Sequence, residues 1–314
     1  MARYVVHRLI QAVGVVLLVS IFVFALIRLI PGNPVTIMLG ENLSPDVERE
    51  LVRKWGLDRP VYEQYVTWLV NLFRGDFGQS IRTHEPVAQL IATRIPATSM
   101  LAVGAMIIAI CVGLPAGMVA AYKANSGLDY AAMLTALVGL CIPSFWLGLL
   151  LMLLFSLKLH WFPVSGYVSP LDDPGASLRH LVLPALALGV GLSASISRMT
   201  RSAMLDVLRQ DYVRTARAKG LSEARTIFGH ALRNAMLPTI TVIGLQLGFL
   251  LGGSVVVEEV FSYPGIGQLL VFGISNRDYP LIQGVVMVFT LTFVLVNLLV
   301  DLSYAYLDPR IKYQ

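Results

Sequence analysis

Six stretches of this 314-residue chain, 9–30, 96–121, 131–157, 181–197, 237–257 and 281–306, are almost wholly apolar, and five of them exceed 20 residues. A helix needs about 20 residues to cross roughly 30 Å of hydrocarbon. No water is present there to satisfy backbone N–H and C=O groups. The helix, which closes its hydrogen bonds within one segment, is therefore the natural spanning unit. The expected fold class is all-α integral membrane, with six transmembrane helices. Composition agrees, at 56% hydrophobic, 14% charged and a mean hydropathy of +0.71, more apolar surface than a soluble domain of this size could cover. The run at 181–197 is the shortest and weakest of the six. Pro115 and Pro143 fall inside the second and third runs and predict kinks there. Arg3, His7 and Arg8 precede the first run, but it is too long for a signal peptide core and lacks a small-residue cleavage site. It is read as the first span.

Lys and Arg in the short loops set the orientation. One side collects Arg3, Arg8, Lys123, eight basic residues from Arg198 to Arg233, Arg310 and Lys312. The other short loops hold only Lys158, Arg179 and Arg277. Both termini are thus expected in the cytoplasm. The first loop, 31–95, is long enough to escape the rule, and its seven Lys/Arg are balanced by eight Asp/Glu. It carries helix signals of its own. Ser44 as N-cap, Pro45, Asp46 and Glu48 in the first turn, Arg53 and Lys54 in the last, and Gly56 beyond describe one helix. A second is expected from about Val61 to Phe73, stopping at Gly75, with Tyr62, Tyr65, Val66 and Leu69 on one side. Residues 83–94 form a third amphipathic piece leading into the second span. The division expected is 1–95, the first span with a helical extracytoplasmic loop, and 96–314, a five-helix core.

Residues 206–238 make a basic segment between apolar runs. Tyr212 to Lys219 reads as the end of a helix, and Gly220 sits where a left-handed residue would stop it. Ser222 is placed to cap a second helix carrying Ile227, Phe228, Ala231 and Leu232 on one face, with Pro238 closing the unit. On residue types alone this reads equally as a basic interfacial loop that only fixes topology. However, Arg214-Thr215-Ala216, three residues and then Gly220 resemble the EAA loop of bacterial ABC importer permeases. Arg214 stands where that motif has Glu, and Gly220 lies farther from Leu237-Pro238 than is common. Both departures are similar to the dipeptide, oligopeptide, glutathione and nickel branch, whose loop reads much like Thr215-Ala216-Arg217-Ala218-Lys219-Gly220. The resemblance runs from Leu29-Ile30-Pro31-Gly32-Asn33-Pro34 to Asp308-Pro309.

That resemblance implies a type I ABC importer permease fold, in which a cytoplasmic loop at 205–238 docks on an ATPase through Arg214, Thr215, Ala216, Arg217, Ala218, Lys219 and Gly220. It also implies an extracytoplasmic substrate-binding protein, one or two ATPase subunits and a second, similar permease. Between the fifth and sixth runs, Glu258 and Glu259 leave the membrane together, followed by Phe261, Tyr263 and a Pro264-Gly265 turn. These residues can be plain interface anchors. In the resembling family the segment forms a re-entrant scoop near the outer mouth of the path.

Catalytic patterns are missing. There is no His-Glu-x-x-His, Cys-x-x-Cys or Gly-x-Ser-x-Gly, and His7, His84, His160, His180 and His230 make no pair at ligand spacing. Cys111 and Cys141 lie in apolar runs and read as packing residues. None of Lys54, Lys123, Lys158, Lys219 and Lys312 follows a glycine, so a Walker A loop is absent and no cofactor is expected in this chain. ATP and Mg would be held by the partner ATPase. The central thirds of the runs hold no ionisable group, since Arg28 and Asp301 lie near span ends and only neutral Gln246 and Asn297 lie deeper. Ion-coupled carriers keep such a group at mid-membrane, which weighs against a secondary transporter or channel. An intramembrane enzyme is opposed by the missing catalytic groups. The function expected is import of short peptides across the bacterial inner membrane, with nickel chelates or other small solutes of the same branch as the alternative. Membrane lipid, and no nucleic acid, completes the expected partners. Gly244, Gly248, Gly252 and Gly253 along the fifth run suit close packing within or between subunits.

The charge bias has a direct test. A topology reporter fused after Arg209 should be active only in its cytoplasmic format, and one fused after Asp172 only in its periplasmic format. The reverse pattern would invert the orientation.

Overall fold

In the computed structural model, which describes residues 2–28, 52–53 and 58–307, the described residues of five apolar runs are helical throughout, and the third run, 131–157, is helical except for a break at Ile142 and Pro143. The elements are α1 (Ala2–Arg28), α2 (Val61–Phe73), α3 (Val87–Tyr122), α4 (Gly127–Cys141) and α5 (Ser144–Leu151), the last continued by a π-helical stretch, Met152–Lys158. Then come α6 (Pro174–Leu208), α7 (Asp211–Ala218), a second π-helical stretch (Arg225–Ala231) that runs into α8 (Leu232–Val260), α9 (Ile266–Ser275) and α10 (Tyr279–Leu307). Among the described residues four helices are long and apolar enough to span a membrane, and up to six spans result when the two bent pairs each count as one. Among the described residues the β-structure is a single bridge between Gln79 and Pro86.

Several expectations are corrected by the backbone. At Pro143 the third span does not merely kink: the two halves meet at 100°. Pro143 holds φ −60° with extended ψ, and Ile142 before it is also extended, because a residue preceding proline is pushed out of the helical region. By contrast α3 runs through Pro96 and Pro115 unbroken. Its amphipathic lead-in starts at Val87, not Thr83, because residues 79–86 form a turn in which His84 has φ +59° and donates to Ser80 O at 3.0 Å. Pro238 does not end a short helix either. It lies inside α8, a placement that packed membrane helices tolerate. Of the expected helix at 44–54 only residues 52–53 are described, and both are helical; the rest lies outside the described residues.

The chain divides into two compact units, Met1–Pro96 with Gly265–Leu295, and Ala97–Pro264 with Val296–Gln314. In the first, α2 packs on α1 through Tyr65 and Trp68, whose rings lie 5.2 and 5.7 Å from Phe24, and Tyr65 Oη shares a 2.8 Å hydrogen bond with Ser20. Tyr62 and Val66, expected on that face, are exposed. Val87, Ile91, Ile266, Leu269, Leu281 and Val285 make a separate core. Asp278 caps α10, accepting from Leu281 N at 3.3 Å, and also accepts from Ser80 Oγ at 2.5 Å.

The second unit is built around α6. Asp173 caps this helix through Gly175 N and Ala176 N, with Pro174 at its first position. Of its apolar window 61% is buried in the chain, against 11% for α10. That burial explains its weak apolar signal, since protein rather than lipid surrounds it: Ser193, Ser197 and Thr200 are buried there, and Ser193 Oγ donates to Val190 O at 2.7 Å. Its neighbour α3 comes very close. A Cβ added at Gly113 would sit 2.6 Å from Ser193 O, and one at Gly117 would overlap Ser197 O. Gly113 and Gly117 thus face Ser193 and Ser197, small residues four apart on both helices, which lets the backbones approach. Gly244 is likewise taken up inside the unit, against Val300, whereas Gly252 has open space.

Gly117→Ala is expected to cost about 1–3 kcal/mol by overpacking. Gly127→Ala, at the exposed start of α4 with nothing within 4 Å, should be neutral or stabilising. Unfolding midpoints in detergent compare them, and equal midpoints would contradict the close crossing.

Candidate functional site

The basic segment forms an elbow. Helix α7 ends with Gly220 at φ +77°; Gly220 N donates to Arg217 O at 2.9 Å and Leu221 N to Ala216 O at 3.3 Å. This pair of bonds is a Schellman closure, and the left-handed residue it needs is the glycine read from the sequence. Ser222 starts the next helix, its Oγ accepting from Arg225 N at 3.5 Å. Across the turn Arg217 donates twice to Glu223, at 2.9 and 3.3 Å, and Asn234 Nδ2 donates to Tyr212 Oη at 2.7 Å. Arg214 lies 3.5 Å from Asp211, but both are exposed, so the pair contributes little.

Burial sorts the segment into two faces. Val213 and Ala216 are buried, while Arg214, Thr215, Arg217, Ala218, Lys219 and Gly220 are exposed. Arg209, Arg225 and Arg233 add to the exposed basic face. On the second arm Ala231 is fully buried with Met204 and Ala235, but Phe228 is 63% exposed. Phe228 was expected to share the inward face. The π-helical winding at Arg225–Ala231 shifts the register of that face, and Thr226 takes a buried position in its place.

The last turn of α8 separates its two carboxylates. Glu258 is 0% exposed and accepts from Thr98 Oγ1 at 2.9 Å and Ser254 Oγ at 3.2 Å, whereas Glu259 is exposed. The helix closes with Ser262 at φ +47°, Ser262 N donating to Glu259 O and Tyr263 N to Glu258 O at 2.7 Å. Phe261 and Tyr263 are buried. Phe261 O accepts from Gly166 N at 3.0 Å, and Tyr263 meets Tyr167 edge-on at 5.2 Å. Burial pushes the Tyr263 phenol well above its usual range, so the ring stays neutral. Pro264 is half-buried and Gly265 precedes the first residue of α9. Among the described residues no group of three His, Cys, Asp or Glu could hold a metal ion.

Sequence reasoning missed the partners. Glu223 for Arg217 and Asn234 for Tyr212 lie on the second arm, and Asp129 with Arg201 forms a buried bidentate pair 72 residues apart. A charge in the first turn after Ser126 was the available signal for Asp129.

Thr98→Val should strand part of the buried Glu258 carboxylate and cost about 1–3 kcal/mol, while Glu259→Gln at the exposed neighbour should stay within about 0.5 kcal/mol. Thermal unfolding of the two variants in detergent checks the contrast.

Residues 113–313 match the family described as binding-protein-dependent transport system inner membrane component, and residues 1–102 match the N-terminal region of the same kind of component. The di/tripeptide transport system permease protein of Pseudomonas aeruginosa is 48% identical over 94% of both chains. The dipeptide transport system permease protein of Alkalihalophilus pseudofirmus is 43% identical over the full length of both. The glutathione transport system permease protein of Escherichia coli is 42% identical, again over both full lengths. Among solved structures, the inward-facing MetNI methionine ABC transporter matches with a TM-score of 0.59 and 17% identity, over 70% of this chain and 97% of that one. That likeness shows the fold, the one found in type I ABC importer permeases.

Proposed function

The chain belongs to the family of binding-protein-dependent transport system inner membrane components, and on that premise we propose that it carries short peptides, glutathione included, into the cell. It is a multi-pass permease subunit of an ATP-driven importer, and the ATP is hydrolysed on a separate subunit. The observation that carries the peptide reading is the full-length identity, 42–48%, to permeases named for dipeptides, di/tripeptides and glutathione.

The elbow at 211–223 is the surface on which the ATPase docks. Its exposed residues, Arg214, Thr215, Arg217, Ala218, Lys219 and Gly220, form the contact, and the buried Ala216 and Val213 hold the elbow to the rest of its own subunit. This places the 205–238 loop and both termini in the cytoplasm. The 258–265 segment then lies towards the outer mouth, where Glu259 is the carboxylate available to a ligand's amino group and Glu258 holds the segment in shape. A second, distinct permease completes the path, one or two ATPases drive it, and an external binding protein delivers the peptide. The division at 1–95 and 96–314 follows the same logic, an accessory N-terminal part and a transporting core.

Labelled dipeptide uptake into vesicles holding the full complex should require both ATP and the binding protein. Uptake that persists without the binding protein, or that a proton ionophore abolishes at constant ATP, would refute this function. Gly220→Val should insert and assemble but lose most peptide-stimulated ATP hydrolysis, because a β-branched residue is strained at φ +77°. Gly220→Asn, which tolerates that region, should retain more.

A further inference from the structure

Asp129 and Arg201 lie apart from both the elbow and the 258–265 segment, yet they connect the elements that carry them. Arg201 Nε and Nη2 donate to the two carboxylate oxygens of Asp129, each at 2.6 Å, with Asp129 1% and Arg201 27% exposed. Asn125 N adds a third donor at 2.9 Å, from a residue at φ +61°. The carboxylate is thereby fixed to the turn before α4 and to the first turn of α4 itself. Arg201 stands on α6 seven residues before Leu208, and only Arg209 and Gln210 separate that end from α7. Behind it, a Cβ at Gly117 would come within 2.7 Å of Thr200 and 3.2 Å of Arg201 N, so α3 leaves this turn no room to slide.

From Asp129, α4 leads to the 100° elbow at Pro143, and α5 beyond it sets Gly148 against Phe261. A Cβ at Gly148 would lie 2.9 Å from the Phe261 ring. All of these residues belong to one compact unit. Stability alone does not call for a buried charge pair here, because desolvation offsets the Coulomb attraction and an apolar pair of similar volume often serves as well. What the bidentate fork adds is direction and distance, a register that apolar packing does not impose.

We propose that Asp129 and Arg201 form the joint that makes α4 follow α6, so that displacement of the docking helix α7 reaches the Phe261 segment instead of being absorbed between helices. Both act as positioning residues. The inference rests on the permease reading above.

The test uses the full complex in lipid vesicles, with labelled dialanine as the transported peptide. It measures basal ATP hydrolysis, its stimulation by the dialanine-loaded binding protein, and peptide moved per ATP. Asp129→Asn and the apolar double variant Asp129→Leu with Arg201→Met are expected to keep the basal rate. Stimulation should fall about tenfold in both. The exchange Asp129→Arg with Arg201→Asp should recover part of it. An apolar pair that assembles and is stimulated like the wild type overturns the joint. So does an assembled exchange variant no better than Asp129→Asn; if the exchange does not assemble, the apolar pair decides. A wild-type complex whose ATP hydrolysis the binding protein stimulates but that takes up no dialanine would count against the peptide reading instead, and leaves the comparison of stimulation standing.

Discussion

A helix leaves its last carbonyls without partners, and in an apolar surrounding they must be closed by the chain itself. Four helices here end in the same way. After α2, α7, α8 and α9, a residue at positive φ turns the chain so that two N–H groups reach back to the final turn. Gly75 and Gly220 supply that residue at φ +80° and +77°, where glycine has no steric penalty. Ser262 and Arg277 supply it at φ +47° and +53° and accept a cost of about 1 kcal/mol each. The connecting segments take their direction from these closures, the basic elbow at 211–223 and the 258–265 segment included.

Helix ends also govern where ionised groups can be buried. Asp129, Asp278 and Glu258 are each at most 1% exposed, and each lies in the first or last turn of a helix or caps it. Asp129 and Asp278 sit at N-terminal ends, where the helix dipole favours a negative charge. Glu258 is in the last turn of α8, where the dipole opposes it, and two hydroxyl donors from Thr98 and Ser254 compensate. Among the described residues, the buried carboxylates are these three, and none lies in the middle of a span. The carboxylates that organise the fold lie at the span ends, where the apolar pattern gives no sign of their burial.

Legibility followed the range of the interaction. The ends of α2, Val61 and Phe73, are legible because Pro60 and Gly75 bracket it, and the turn at Gly220 because one residue type serves that backbone. The face of α2 was legible in part: Tyr65 packs as expected, but Tyr62 and Val66 are exposed and Trp68 takes a place, because Phe24 on a distant helix selects that face. Regular 3.6-residue spacing puts Phe228 on one face with Ile227, Ala231 and Leu232, and the π-helical stretch alters that spacing. The run at 181–197 looked weakest because hydropathy measures affinity for lipid, and α6 is enclosed mostly by its own chain.

The sequence by itself determined a helical membrane chain with six apolar runs and a basic segment that turns at Gly220, because run length, loop charge and a single glycine are local properties; its likeness to importer permeases rested on the resemblance of residues 214–220 to a family motif. The tertiary structure decided which member of the Glu258-Glu259 pair is buried, which glycines press against another helix and which charges meet. Those outcomes depend on side chains 72 or 160 residues apart arriving at hydrogen-bonding distance. No periodicity within one segment encodes where another segment will lie.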